Sequence, residues 1–156
     1  MKNKNVYFLL IIILFIISCA NYSPSEIALP NDAGVVLIEM VTYYPGSGNI
    51  KTVDVVSGQT IKYYEQTIYP KTLVYYPSSN YQRILIDQGS LIITVGPNTI
   101  KAREVNFFDI SQKPQIIYFA AEQEPITVDI NGSEKLARYG IVLDENGKVV
   151  SAGSTN

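Results

Sequence analysis

From Val35 onward the chain reads as short strands separated by turns, several of them alternating apolar and polar residues with a period of two, and no run of ten or more keeps a helical stripe. Successive side chains of a strand point to opposite faces, so a half-buried strand reads as apolar–polar alternation; a helix needs apolar positions at i, i+3, i+4 and i+7. The clearest case is Ile126, Val128 and Ile130 alternating with Thr127, Asp129 and Asn131. Arg83–Asp87 places Ile84 and Ile86 opposite Arg83 and Asp87, and Thr52–Val56 puts Val53 and Val55 on one face. Val35–Thr42 is a continuous apolar strand interrupted only by Glu39, and Leu91–Val95 is short and apolar. Gln115–Ala120 is apolar on both faces, which predicts a central strand. Ile61–Gln66 and Thr72–Tyr76 carry the Tyr and Ile that strands favour, and Ile100–Ile110 reads as one long or two short strands. Ile141–Leu143 and Lys148–Ser151 flank Asp144-Glu145-Asn146-Gly147, a hairpin connection whose Asn-Gly step accepts positive φ. Ser133–Tyr139 reads as one or two helical turns.

Turn residues punctuate these segments at Pro45-Gly46-Ser47-Gly48, Ser57-Gly58, Pro77-Ser78-Ser79-Asn80, Gln88-Gly89, Gly96-Pro97-Asn98 and Asn131-Gly132. Short strands at this spacing predict an all-β fold, an antiparallel β-sandwich or barrel-like domain. Val41-Thr42-Tyr43-Tyr44-Pro45-Gly46-Ser47 echoes Leu73-Val74-Tyr75-Tyr76-Pro77-Ser78-Ser79 at an offset of 32. Two copies of a strand–turn–strand unit are one reading; coincidence in a Tyr-rich β chain is the other.

The amino terminus departs from this pattern. Lys2 and Lys4 precede an unbroken apolar run, Val6 to Ile17, which ends at Ser18-Cys19. A charged n-region, about 7–15 apolar residues and small residues at the cut define a secretory leader, and a spanning helix needs about 20. Ile16-Ile17-Ser18-Cys19 resembles the lipobox of bacterial lipoproteins, with Ile16 in place of the commoner Leu and Ser18 in place of Ala or Gly. That resemblance implies a diacylglyceryl thioether on Cys19, palmitate-like acyl chains, and cleavage between Ser18 and Cys19. Ala20, where an Asp would retain such proteins at the inner membrane, implies the outer membrane in an organism that has one. The expected organisation is a signal peptide over 1–18, a flexible tether over 19–34, where Asn21-Tyr22-Ser23-Pro24 and Pro30-Asn31-Asp32 break regular structure, and a β domain over 35–156. Arg83–Ala120, with its Gly-Pro turn and aromatic strand, is also loosely similar to small β-sandwich modules of cell-envelope lipoproteins.

Removing residues 1–18 from the 156 leaves 138, with ten basic and fourteen acidic residues and a net charge of about −4. A nucleic-acid partner, which needs clustered Lys and Arg, is not expected. Cys19 is the sole cysteine, so no intramolecular disulfide can form, and lipidation consumes the thiol. Two or three acyl chains hold a protein stably to a bilayer.

The chain has no histidine, which removes the commonest general base and the His-dependent triads. With Cys19 acylated, the usual Cys/His zinc site has no ligands, and no phosphate-binding Gly loop is present. Asp144–Gly147 lacks the length and distal Glu of a calcium loop, so no metal and no cofactor are expected. Asn21-Tyr22-Ser23 and Asn131-Gly132-Ser133 match a glycosylation sequon that a bacterial chain normally leaves unused. Paired carboxylates are the residual enzymatic option, a small carboxylate-dependent hydrolase, but none of the fourteen acidic residues is singled out.

Tyrosine remains. Eight of the twelve lie between Tyr43 and Tyr81, in the pairs Tyr43-Tyr44, Tyr63-Tyr64 and Tyr75-Tyr76 and singly at Tyr69 and Tyr81. Each pair is expected to send one ring to the core and one outward, which makes Tyr44, Tyr64 and Tyr76 the candidate binding patch. Cross-strand aromatic pairing that stabilises the sheet is the competing explanation. The expected role is therefore a non-catalytic binding or structural domain, held to membrane lipid through acylated Cys19, with a protein partner in the cell envelope. A surface-exposed adhesin or enzyme inhibitor is the alternative.

Overall fold

A computed structural model describes residues 25–153; Ser18, Cys19 and the rest of the leader lie outside the described residues. Thirteen strands follow one another: β1 (Ser25–Ala28), β2 (Val35–Tyr43), β3 (Ile50–Val55), β4 (Ile61–Tyr63), β5 (Gln66–Tyr75), β6 (Tyr81–Gln88), β7 (Leu91–Val95), β8 (Asn98–Phe107), β9 (Pro114–Phe119), β10 (Ile126–Ile130), β11 (Ser133–Ala137), β12 (Gly140–Leu143) and β13 (Val149–Gly153). Every pairing is antiparallel. The all-β expectation holds, and among the described residues no helix is long and apolar enough to cross a membrane.

The strands form four copies of one unit: a short strand, a turn (two residues in the last three units, six in the first), a long strand, a loop and a return strand. The units are β1-β2-β3, β4-β5-β6, β7-β8-β9 and β10-β11/β12-β13, the last with its long strand interrupted at Arg138–Tyr139. Long strands begin at Val35, Gln66, Asn98 and Ser133, steps of 31, 32 and 35 residues. The echo between Val41–Ser47 and Leu73–Ser79 is therefore part of a fourfold repeat. Its registers coincide. Within the hairpins Val41 faces Val53, Leu73 faces Ile84, Val105 faces Ile117 and Ile141 faces Ala152. Between units Val53 faces Leu73, Ile84 faces Val105 and Ile117 faces Ile141.

Each long strand turns a corner at an equivalent place. Register shifts fall after Ile38 in β2, on both sides of Pro70 in β5 and after Ala102 in β8, and β11 ends at Ala137. Bulges bend a strand and let it pass from one layer to another. The bend in β5 is measurable. Tyr63 lies opposite Gln66 at one end of β5 and Tyr81 opposite Tyr75 at the other. Nine residues of straight strand would separate them by about 30 Å, yet their ring centroids are 5.7 Å apart. The first half of the strand thus folds back over the second. Pro70 sits at the corner, between the last residue paired with β4 (Ile68) and the first paired with β3 (Thr72), so on that side its missing N–H breaks no ladder.

The core lies inside these corners. Ile68, Leu73, Tyr75, Ile84, Leu91, Ile100, Val105, Phe107, Ile117 and Ile141 are all essentially inaccessible to solvent. β9 is central, paired with β8 and β12, as its two-sided apolar character predicts.

Two expectations need correcting. The fold begins inside the stretch expected as a tether: Ser25–Ala28 pairs with Val35–Ile38, and Leu29 and Ala33 are buried. Prolines 24 and 30 bracket a segment too short to show periodicity, and the sheet supplies its hydrogen bonds. Ser133–Ala137 is strand β11, not a helical turn. Its helix-forming composition yields to full pairing with β10, from Ile126 opposite Ala137 to Ile130 opposite Ser133.

Candidate functional site

At the loop end, two rows of side-chain hydrogen bonds link neighbouring units, the first at two of the three junctions and the second at all three. The Tyr44 hydroxyl donates to the Tyr75 carbonyl at 2.7 Å, and the equivalent Tyr76 hydroxyl donates to the Phe107 carbonyl at 2.9 Å. In the second row, Asn49 Nδ2 donates to the Pro77 carbonyl at 2.8 Å, Asn80 Nδ2 to Asp109 at 2.8 Å and Lys113 Nζ to Glu145 at 3.2 Å. Each of these three donors immediately precedes a return strand. Tyr44 and Tyr76 are half-buried, and their hydroxyls are engaged in joining units.

Tyr64 is placed elsewhere. It occupies the two-residue turn between β4 and β5 at φ 50°, is 77% exposed, and meets Tyr63 edge-on at 4.8 Å. Inward–outward division holds for Tyr63-Tyr64 and Tyr75-Tyr76, whose first rings are buried, but neither ring of Tyr43-Tyr44 is buried. The three candidate residues do not share a pocket. Tyr76 borders a depression on the outer sheet face with Arg83, Asn106 and Gln115. Tyr64 borders a cavity of about 420 Å³ at the mouth between layers, with Tyr63, Tyr81, Asn31, Asn80 and Gln112.

That mouth is a concave surface lined by three tyrosines. Tyr63 anchors it, with ring contacts to Tyr64, Tyr81 and Phe107. Gln112, held at φ 51°, closes one side by mimicking a strand. Its Oε1 accepts from the Tyr81 N–H at 3.0 Å and its Nε2 donates to the Tyr81 carbonyl at 3.1 Å. Asn31 Nδ2 donates to the Ser79 carbonyl at 3.1 Å on the other. The mouth therefore combines aromatic faces and amides already committed to the backbone with two charged residues, Asp32 and Lys62, a surface suited to a polar or aromatic group.

The tyrosines behind it hold their protons strongly. Burial raises the Tyr63 phenol well above its ordinary value, with Tyr64 and Tyr81 adding to the shift. Burial raises Tyr75 further, and Tyr81 is raised by the same cause. Tyr75 and Tyr81 stack with centroids 5.0 Å apart, and their buried hydroxyls perturb one another without forming a hydrogen bond of good geometry. Such groups are poor bases at neutral pH.

Carboxylates do not assemble into a comparable site. Glu26 and Glu39 border one groove beside β1 and β2, and both are exposed. No group of three or more potential metal ligands occurs among the described residues. Asp144 accepts backbone N–H bonds from Asn146 and Lys148, each at 2.9 Å, and so closes the hairpin expected there. Comparison with protein-family models, curated proteins and solved structures gives no match.

Proposed function

We propose that this chain is a bacterial cell-envelope lipoprotein, anchored through acylated Cys19, whose repeat domain binds or braces a protein partner without catalysing a reaction. One observation carries the reading: the charged and apolar leader ends on the sole cysteine, and only residues 20–24 separate that cysteine from the first strand. Five residues reach at most about 18 Å, so the folded domain would sit directly on the bilayer surface. The absence of histidine from the sequence and the lack of a buried carboxylate pair among the described residues favour binding over hydrolysis. The aromatic mouth around Tyr63, Tyr64 and Tyr81 is the surface we assign to the partner.

Metabolic labelling with a palmitate analogue tests the anchor. Label should appear on the natural chain and vanish in Cys19→Ala, with a matching loss from the membrane fraction. Label retained in Cys19→Ala, or membrane association unchanged, would remove the lipoprotein reading. For the mouth, Tyr64→Ser should reduce crosslinking of the partner in cells while leaving the thermal midpoint unchanged, because the ring is mostly exposed.

A further inference from the structure

The repeat ends abruptly on both sides. At every internal junction the return strand of one unit pairs with the second half of the next long strand: β3 with β5, β6 with β8, β9 with β12. β13 is a return strand with no successor. β2 is a long strand with no predecessor beyond Ile38, where its pairing with β1 stops. Both are edges among the described residues, and an unprotected edge is a template for another strand.

We infer that the two edges are made for each other, and that copies of this chain associate head to tail, β13 of one on β2 of the next. Three observations support that occupant. First, the internal junctions fix a register. Ser151, Ala152 and Gly153 are the equivalents of Thr52, Val53 and Asp54, and Thr42, Val41 and Met40 those of Val74, Leu73 and Thr72. Continuing the stack therefore sets Ser151 opposite Thr42, Ala152 opposite Val41 and Gly153 opposite Met40 of the neighbour. β1 pairs as far as Ile38, the equivalent of Pro70, further than β4, which stops at Ile68 on β5, but its last pair still falls short of Met40, where the docked strand would end.

Second, the edges expose what internal units bury. Tyr43 is 51% exposed, whereas its equivalents Tyr75, Phe107 and Leu143 are at most 4% exposed. Met40 and Val150, on the two edges, are also about half exposed. Third, the charges oppose. The groove along β2 carries Glu26 and Glu39; the groove along β13 carries Lys135 and Arg138. An isologous contact would set like charges together, whereas the head-to-tail contact pairs opposite ones. A heterologous contact repeats from copy to copy, so the product is a row of copies that runs on or closes into a ring according to the rotation between neighbours.

Disulfide trapping tests this without the lipid anchor. In the detergent-solubilised Cys19→Ala chain, Thr42→Cys and Ser151→Cys would face each other across an antiparallel pair, within disulfide reach. Oxidation of the double variant should give dimers, trimers and higher bands that collapse on reduction. Each single variant should stay monomeric. Reversing Lys135 and Arg138 to Glu should weaken the ladder several-fold, and adding Glu26→Lys and Glu39→Lys should restore it. A folded double variant that forms no link overturns the inference. So does a single variant that dimerises, which would mean an isologous contact. An internal link between Asn21→Cys and Thr42→Cys would assign the β2 edge to the chain's own upstream residues and overturn it equally. None of these outcomes depends on acylation, so failure here leaves the anchor reading standing.

Discussion

A buried hydroxyl costs free energy unless something accepts its hydrogen bond, and three tyrosines of one hairpin illustrate both cases. Tyr76 donates to the Phe107 carbonyl and joins two units. Its neighbour Tyr75, fully buried, and Tyr81, facing it across the hairpin, have hydroxyls that meet only each other, without good hydrogen-bond geometry. Tyr76→Phe and Tyr75→Phe therefore make the same chemical change and should have opposite effects. Losing the Tyr76 bond should destabilise the domain by about 1 kcal/mol. Removing an unsatisfied hydroxyl should leave stability unchanged or raise it by up to about 1 kcal/mol, and the Tyr75→Phe/Tyr81→Phe pair should do so more clearly. Urea midpoints decide it; a loss on Tyr75→Phe as large as on Tyr76→Phe would mean that the buried pair is satisfied after all. The sequence shows three Tyr-Tyr pairs but not this distinction, because which hydroxyl meets a carbonyl depends on the neighbouring unit.

At the scale of elements, alternation made most strands legible, since a strand with one buried face must write a period of two. The repeat was legible only as one echo because its positions keep burial and geometry, not identity. Val36, Ile68 and Ile100 are interchangeable apolar residues, and the corner is filled in turn by Ile38, Pro70, Ala102 and Ala137. Asn49, Asn80 and Lys113 need only an N–H within reach of the next loop. The expected strands Ile61–Gln66 and Thr72–Tyr76 miss the turn at Tyr64 and Glu65 and the continuous β5 strand, which bends at Pro70. The last unit solves its corner differently, with Arg138–Tyr139 outside the strands and Gly140 immediately after. A Cβ on Gly140 would run into the carbonyl oxygen of Ile117 on β9. Backbone cannot withdraw as a flexible side chain can, so Gly140→Ala should cost about 2–3 kcal/mol. For a domain of this size that lowers the thermal midpoint by roughly 6–12 °C. Gly153→Ala, whose Cβ would find only ordinary contacts in the same hairpin, is the control and should shift it far less.

For the molecule as a whole, repetition sets how stability is distributed. A stack in which each unit meets only its neighbours is stabilised largely by its junctions, and terminal units have one junction where internal units have two. The second and third units contribute Leu73, Tyr75, Ile84, Ile100, Val105 and Phe107, all fully buried. In the fourth, Lys135 stands exposed where Val36, Ile68 and Ile100 are buried, and Leu136, Tyr139 and Val150 are exposed. Opening should therefore begin at the ends. In the monomer, amide exchange of β12 and β13 should run ahead of that of β5, β6, β8 and β9 by one to two orders of magnitude, a difference of about 1.4–2.7 kcal/mol in opening free energy. Uniform exchange would mean that the four units unfold as one body. Protection of β2 and β13 that rises with protein concentration, while the central strands stay unchanged, would come from the neighbour that the open edges are built to receive.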